Sequence, residues 1–296
     1  MRFYEISPQT QRDLKSALLN PDRVIELIHT AFEEDLQGGE DLTSVSTIPA
    51  DHLSIGEFRC RDVGVIAGIP IARAVLEIAG IGDISAEILC AHTVEAGTVI
   101  MSARANTRAL LLAERTALNF LGHLSGIATF TRRWVDEVSD FGTLIRDTRK
   151  TTPGLRELEK YAVRMGGGIN HRFSLSDAAL IKDNHIEVVG GVGEAFERVR
   201  ARYPEVGIEI EVDTLEQLQE ILLHRPDLVL LDNMSVDECR QAVAITEGRC
   251  KLEASGGLSL NNARAYAETG VDYLAVGALT HSAPVFDIGL DLKAEI

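Results

Sequence analysis

Residues 208–278 read IEIEVDTLEQLQEILLHRPDLVLLDNMSVDECRQAVAITEGRCKLEASGGLSLNNARAYAETGVDYLAVGA. Four short apolar runs, IEIEVD, LVLLDN, KLEASGG and YLAVGA, alternate with the helical stretches DTLEQLQEILLH, SVDECRQAVAI and LNNARAYAETG. Strands this short and this continuously apolar are covered on both faces, and their alternation with helices predicts a parallel sheet. Thr214 with Gln217, and Ser235 with Glu238, have the spacing of capping boxes. Gly270 sits where a helix C-cap glycine belongs. Glu211, Asp232, Ser255 and Gly277 each end a strand candidate, 21, 23 and 22 residues apart. One βα unit per strand at that interval is the repeat of a (β/α) barrel, whose strand carboxyl ends face the ligand. An open doubly wound sheet would also bind ligands at strand ends, but at a single switch point.

Upstream, TLIRD at 143–147 and AALIKD at 178–183 are two further strand candidates with polar endings. Groups spread over six consecutive strand ends favour the barrel-like architecture. These two strands bracket residues 146–185, RDTRKTTPGLRELEKYAVRMGGGINHRFSLSDAALIKDNH. The chain has a formal charge of -16, yet this window holds eight Lys and Arg against five Asp and Glu. Arg149-Lys150, His171-Arg172 and Lys182 form tight groups, with a glycine triplet at 166–168 just ahead of the second. A solvated basic face would be the bland reading. The apolar lead-ins GTLI and ALI place these charges at the ends of buried strands, which predicts a pocket for a small polyanion.

The first part of the chain has another texture. Residues 22–36 carry apolar side chains at helical spacing. From 55 to 104, short strands (GEFRCRDV, GVIAG, DISAEILCA, GTVIMSARA) with one helical piece, ARAVLEIA, predict an α+β layer with an antiparallel sheet. That layer reads as a packing and assembly domain. A helix follows from 106 to 121, so apolar that it is buried on more than one side; a second helical pattern, ATFTRRWVDEV, ends near Gly142. Arg108 and Arg115 are seven apart on the first and must reach an acidic partner or an anionic ligand.

The acidic balance argues against nucleic acid or an anionic membrane as the main partner. Cys60, Cys90, Cys239 and Cys250 form no CxxC pair and read as thiols of a reducing compartment. The N-terminal stretch lacks an apolar h-region, and no run approaches membrane-spanning length. The expectation is a soluble, cytoplasmic protein.

The predicted pocket therefore combines Arg149, Lys150, His171, Arg172 and Lys182 with the carboxylates Glu211 and Asp232. SGG at 255–257 and VGA at 276–278 add backbone donors with little bulk, an arrangement used for phosphate after the last strands of barrels. Glu211 and Asp232 suit a general acid/base pair, a Mg2+ site or the hydroxyls of a sugar, or else serve as ion-pair partners of the nearby cations.

The motifs ERTALN at 114–119, GHLSGIAT at 122–129, RDTRKTTPGLRELEKYAVRMGGGINHR at 146–172, DAALIKDNH at 177–185, EVD at 211–213, LLDN at 230–233, SGG at 255–257 and DYLAVGALTHS at 272–282 together closely resemble the quinolinate phosphoribosyltransferase family. The resemblance covers nearly the whole chain. It implies transfer of phosphoribose from phosphoribosyl pyrophosphate (PRPP) to quinolinate with decarboxylation, giving nicotinate mononucleotide, CO2 and pyrophosphate, with Mg2+. Implied catalytic residues are Lys150, Lys182, Glu211 and Asp232. The implied substrate-binding set adds Arg115, Thr148, Arg149, His171 and Arg172, together with Ser255, Gly256, Gly257, Val276, Gly277 and Ala278. Glu211 and Asp232 would hold the metal, directly or through Mg-PRPP. Arg115 would reach the site of a partner subunit in a homodimer. The implied fold is α/β: an N-terminal α+β antiparallel-sheet domain over 1–120, joined by the tail 283–296, and a barrel-like (β/α) domain, open or incomplete, over 121–282.

Three other readings stand beside it. One is a related phosphoribosyltransferase-like protein with a different base or role, as in a molybdenum-transport-associated relative. Another is a Schiff-base lyase using Lys182. The third is a non-catalytic nucleotide-binding protein, which would have to lack the carboxylates or the cation set.

Overall fold

The computed structural model describes residues 3–294. The chain divides into two compact units: Met1–Phe130 with Glu157–Gly166 and Ala283–Ile296, and Thr131–Arg156 with Gly167–Ser282. In chain order the elements begin with α1 (Pro8–Ser16), α2 (Pro21–Leu36) and α3 (Leu42–Thr47). Then come β1 (Leu53–Cys60), β2 (Gly64–Val65), α4 (Ile69–Ile78), β3 (Asp83–Ala86), β4 (Thr93–Val94), β5 (Val99–Asn106) and α5 (Thr107–Glu137). The middle of the chain forms β6 (Leu144–Arg146), α6 (Arg156–Met165), β7 (Ala179–Ile181), α7 (Asp183–Val189), α8 (Val192–Arg202), β8 (Ile208–Val212) and α9 (Leu215–Leu222). The remainder is β9 (Leu228–Asp232), α10 (Val236–Thr246), β10 (Lys251–Ser255), α11 (Leu260–Ala267), β11 (Tyr273–Ala275), α12 (Ala278–His281) and β12 (Ile288–Ala294).

The first unit is built on an antiparallel sheet in the order β12-β1-β5-β3. Along β1 every second residue is buried, the pattern of a sheet with one face on the core. The final strand of the chain pairs with β1 along its length, so residues far apart in sequence share this sheet. Glu77 of α4 accepts from the Ser7 N–H at 2.7 Å and the Thr10 hydroxyl at 2.8 Å, placing an anion at the N-terminus of α1.

The two helical patterns expected between 106 and 142 are one continuous helix of 31 residues, α5. Gly122 and Gly126 do not break it. A Cβ at Gly126 would lie 2.1 Å from the Pro284 carbonyl oxygen, and one at Gly122 3.0 Å from that of Phe286. The chain at 284–286 crosses the helix there, and the Phe286 N–H donates to the Gly122 carbonyl at 2.9 Å. That close approach offsets the roughly 1 kcal/mol per glycine lost in a helix interior. Among the described residues Arg108 pairs with no acidic side chain. Its guanidinium donates to the Ile48 and Val45 carbonyls at the end of α3, where a cation meets the negative end of a helix.

The second unit holds a parallel sheet in the order β6-β11-β10-β9-β8-β7. Its strands from β7 to β11 are neighbours in sequence, and β6 returns beside β11. All of β8 is buried, as a doubly covered strand requires. The sheet is barrel-like but open between β6 and β7. Beside β6 runs the segment at Ile169, whose N–H donates to the Ile145 carbonyl at 2.9 Å. The capping boxes of Thr214 with Gln217 and Ser235 with Glu238 start α9 and α10. Helix α11 ends before Gly270: its C-cap is Glu268, and Gly270 takes a φ of +91° two residues later.

All four cysteines are free thiols, and burial pushes those of Cys60, Cys239 and Cys250 up to about 11. Among the described residues no helix is long and apolar enough to cross a membrane.

Candidate active site

At the carboxyl ends of the parallel strands lies a cavity of about 310 Å3, lined by Thr148, Arg149, Lys150, His171, Arg172, Lys182, Glu211, Asp232 and Ser255, with Leu180, Leu230, Glu253 and Ala275. A second cavity, of about 320 Å3, opens where the strands begin, around Asp227, Lys251 and Asp272. There Lys251 is paired with Asp272 at 2.6 Å, and Arg249 donates to the Thr246 carbonyl at 3.0 Å. The chemistry belongs to the first.

Two loops carry the cations. The loop after β6 turns on Thr148, whose hydroxyl accepts the Lys150 N–H at 3.0 Å, while Thr280 donates to the Lys150 carbonyl at 2.8 Å. Buried Asp147 ties this loop to the next: its carboxylate takes the His171 N–H at 2.8 Å and the Asn170 side-chain amide at 2.6 Å. Arg156 makes a second tie, from the Thr151 hydroxyl at 3.0 Å to the Phe173 carbonyl at 2.9 Å. Arg149 and Arg172 are thereby brought together. Burial first, and then the Arg149 charge, pull the Arg172 pKa below its ordinary value. The Nε–H groups of both arginines are buried and meet no acceptor among the described residues. Two neighbouring guanidinium groups, each with a buried unpartnered donor, suit an anion between them.

The mouth also carries carboxylates. Lys182 stands at the start of α7 and its ammonium is 2.7 Å from Glu211, so part of Glu211's role is to pair with this cation. Asp232 accepts from the Asn233 side-chain amide at 2.6 Å. Its pKa is raised, chiefly by burial and then by the charges of Glu211, Asp213 and Asp183. Asp213 is raised in the same way, by burial and then by Glu211 and Asp183. Such a group of hard oxygen donors, mutually repelling, suits a divalent cation such as Mg2+.

Beneath the mouth is a floor of charge. Arg146 pairs with Glu253, and His171 Nε2 lies 2.8 Å from Glu209. His171 was counted with the cations from sequence. Its Nδ1 accepts the Arg172 N–H at 2.7 Å, which fits a ring whose proton sits on Nε2 facing Glu209. Glu209 and Glu253 were not singled out from sequence. Period-two spacing held the signal, because Glu209 precedes Glu211, and Glu253 precedes Ser255, by two residues on the same strands.

The glycine turns sit next to this cavity. Gly256 has a φ of +87° and its missing Cβ would lie 2.1 Å from Asn233 Oδ1, so no side chain fits there. At Gly277 a Cβ would come within 2.9 Å of the Lys150 stem. Gly257 has a φ of +63° and Ala278 opens α12. Val276 is different: it is buried, and its N–H donates to the Arg146 carbonyl at 2.9 Å. Arg115 belongs to the first unit, where its side chain is 67% exposed and borders a hollow with Leu118, Asn119 and Val285.

Comparison with known proteins identifies the family. Residues 41–125 match the family model for the quinolinate phosphoribosyl transferase N-terminal domain, and residues 127–291 that for its C-terminal domain. A nicotinate-nucleotide pyrophosphorylase (carboxylating) of Mycobacterium leprae is 50% identical over 92% of this chain and 98% of its own length. A probable enzyme of the same name from Bacillus subtilis is 40% identical over 93% of this chain and 95% of its own. The crystal structure of NadC from Streptococcus pyogenes, 34% identical, superposes with a TM-score of 0.90 over 94% of this chain and 99% of that one. With both halves matched in order and cations and carboxylates converging on one mouth, the chain belongs to the quinolinate phosphoribosyltransferase family.

Proposed function

We propose that the chain transfers phosphoribose from PRPP to quinolinate and releases CO2 and pyrophosphate, forming nicotinate mononucleotide. The observation that carries this reading is the pair of arginines, Arg149 and Arg172, with unsatisfied buried Nε–H groups, lining one cavity with the apolar side chains of Leu180, Leu230 and Ala275. A planar aromatic dicarboxylate matches both halves of that surface. Arg149 and Arg172 take its carboxylates in forked hydrogen bonds, with Lys150 and Lys182 as point charges. Ser255, Gly256, Gly257, Gly277 and Ala278 receive the 5'-phosphate, and Glu211 and Asp232 face the ribose. Val276 supports that turn from behind.

In the first step the pyridine nitrogen bonds to the anomeric carbon as the bond to pyrophosphate breaks. The reacting centre is oxocarbenium-like, so positioning and charge stabilisation supply the rate and no nucleophilic side chain is needed. In the second step the adjacent carboxylate leaves as CO2, and its electron pair stays on the ring carbon beside the new pyridinium nitrogen. A proton then replaces it. Glu211 and Asp232 would hold Mg2+, directly or through the pyrophosphate of PRPP; when bound, it supplies positive charge to the departing pyrophosphate. The cation loops hold the retained carboxylate while leaving the other able to depart.

The protein works as a cytoplasmic homodimer in which Arg115 of one subunit reaches the site of the other. Its 67% exposure beside the hollow at Leu118, Asn119 and Val285 supports this. The reaction is tested by release of labelled CO2 from carboxyl-labelled quinolinate, which must require PRPP; release without it, or none with both, rejects the assignment. For the dimer, Arg115→Ala and Lys182→Ala proteins, each inactive alone, regain activity when their subunits are exchanged. Absence of recovery in proven heterodimers removes Arg115 from the neighbouring site.

A further inference from the structure

Below the cavity, Glu209 and Glu253 are 5% and 0% exposed. Each has one carboxylate oxygen, Oε1, that is buried without a hydrogen-bond donor among the described residues. Two carboxylates side by side in a dry interior require a cation or a proton between them. Ligand atoms of His171, Glu209 and Glu253 lie within 4.8 Å of one another, close enough to consider a metal. The hydrogen bonds decide against it. His171 Nδ1 accepts the Arg172 N–H, which leaves Nε2 carrying the proton and without a lone pair to offer a metal. Reversing the tautomer would set two N–H groups against each other. The Arg146 guanidinium, moreover, is already on Glu253. The floor takes a proton, and burial beside the Glu209 charge pushes Glu253 up to about 7, as a proton-holding partner requires.

We infer that Glu209, backed by Glu253 and Arg146, is a positioning residue that sets the quinolinate site through His171. Glu209 accepts the Nε2–H and so keeps Nδ1 free of a proton. Nδ1 then anchors the Arg172 N–H, and the Arg172 guanidinium is held toward the cavity with one arm on the Ala178 carbonyl at 3.0 Å. His171 acts as a neutral spacer, and the binding charge comes from Arg149, Arg172, Lys150 and Lys182. This inference rests on the quinolinate reading for its substrate but not for its geometry.

The test combines histidine 15N spectroscopy with kinetics. Long-range 1H–15N spectra, with His171→Gln used to assign the signal, should show a neutral His171 ring protonated on Nε2 at neutral pH. Glu209→Leu, which removes the acceptor, should lose that tautomer preference. It should also raise the KM for quinolinate about tenfold, the cost of one buried unsatisfied donor, with a much smaller change in kcat. Glu209→Gln retains an acceptor and should return most of both. A wild-type ring protonated on Nδ1, or an imidazolium, overturns the inference. So does a Glu209→Leu protein with unchanged KM, or a Glu209→Gln protein as impaired as the leucine variant. Should Glu209→Leu fail to fold, the wild-type spectrum and the Glu209→Gln kinetics decide. Loss of the quinolinate reaction itself would appear separately, as wild-type protein that releases no CO2.

Discussion

On β8, Glu209 and Glu211 are two residues apart and point to the same side of the sheet; on β10, Glu253 and Ser255 stand in the same relation. The inner position of each strand belongs to a closed set. Arg146 answers Glu253, His171 answers Glu209, and the groups involved are almost wholly buried. The outer position opens on the cavity, where Arg149 and Arg172 crowd each other and Asp232 feels the charges of Glu211, Asp213 and Asp183. The difference is one of pairing more than of burial, because Glu209 and Glu211 are each 5% exposed. Charges sealed from water must be balanced by the protein itself, whereas charges at a mouth can be left for a ligand to balance. The inner layer should therefore govern stability and the outer layer activity.

The largest effect sharpening that contrast is expected from Arg149→Ala or Lys182→Ala. Each removes a charge partner of the substrate and should cut turnover by about a hundredfold or more, with folded structure intact by circular dichroism. Wild-type turnover in the Arg149→Ala protein would remove that residue from the site. Next comes Arg146→Ala in the inner layer. It strands the buried Glu253 and Glu209 and should cost about 3–5 kcal/mol in urea unfolding. An unfolding midpoint equal to that of wild type would erase the distinction between the layers.

The smallest effect is a pH dependence. The folded state holds the Glu253 proton up to about 7, against an ordinary carboxyl value of 4.5. Between those values the folded state binds more protons than the unfolded, so this residue's contribution weakens stability as pH rises and levels off above the folded pKa. Glu253→Gln, unable to ionise, should show a smaller drop in Tm between pH 5 and 7.5 than wild type. An equal drop would place the titration elsewhere.

Much of the second unit could be read from local pattern. The capping boxes at Thr214 and Ser235 start helices where expected, because a cap involves residues only three apart. The cation set of residues 146–185 reached one cavity because strands end where apolar runs end. The continuity of α5 through Gly122 and Gly126 was not legible, since what accommodates those glycines is a segment more than 150 residues further along the chain. Arg108 likewise found helix-end carbonyls that no spacing rule connects to it. Glu209 and Glu253 were passed over because a lone carboxylate in an apolar strand reads as an interruption until its partner from another strand is seen.

By itself the order of residues determined the family, the alternation of strands and helices, and the charges available to the site. Apolar periodicity, caps and motifs are properties of near neighbours, and they survive without a third dimension. Tertiary structure alone decided which charges meet each other, that His171 stands between Glu209 and the Arg172 backbone, and that two carboxylates share the floor. Coulomb attraction and desolvation depend on distance and burial, and neither is written in the order of the chain.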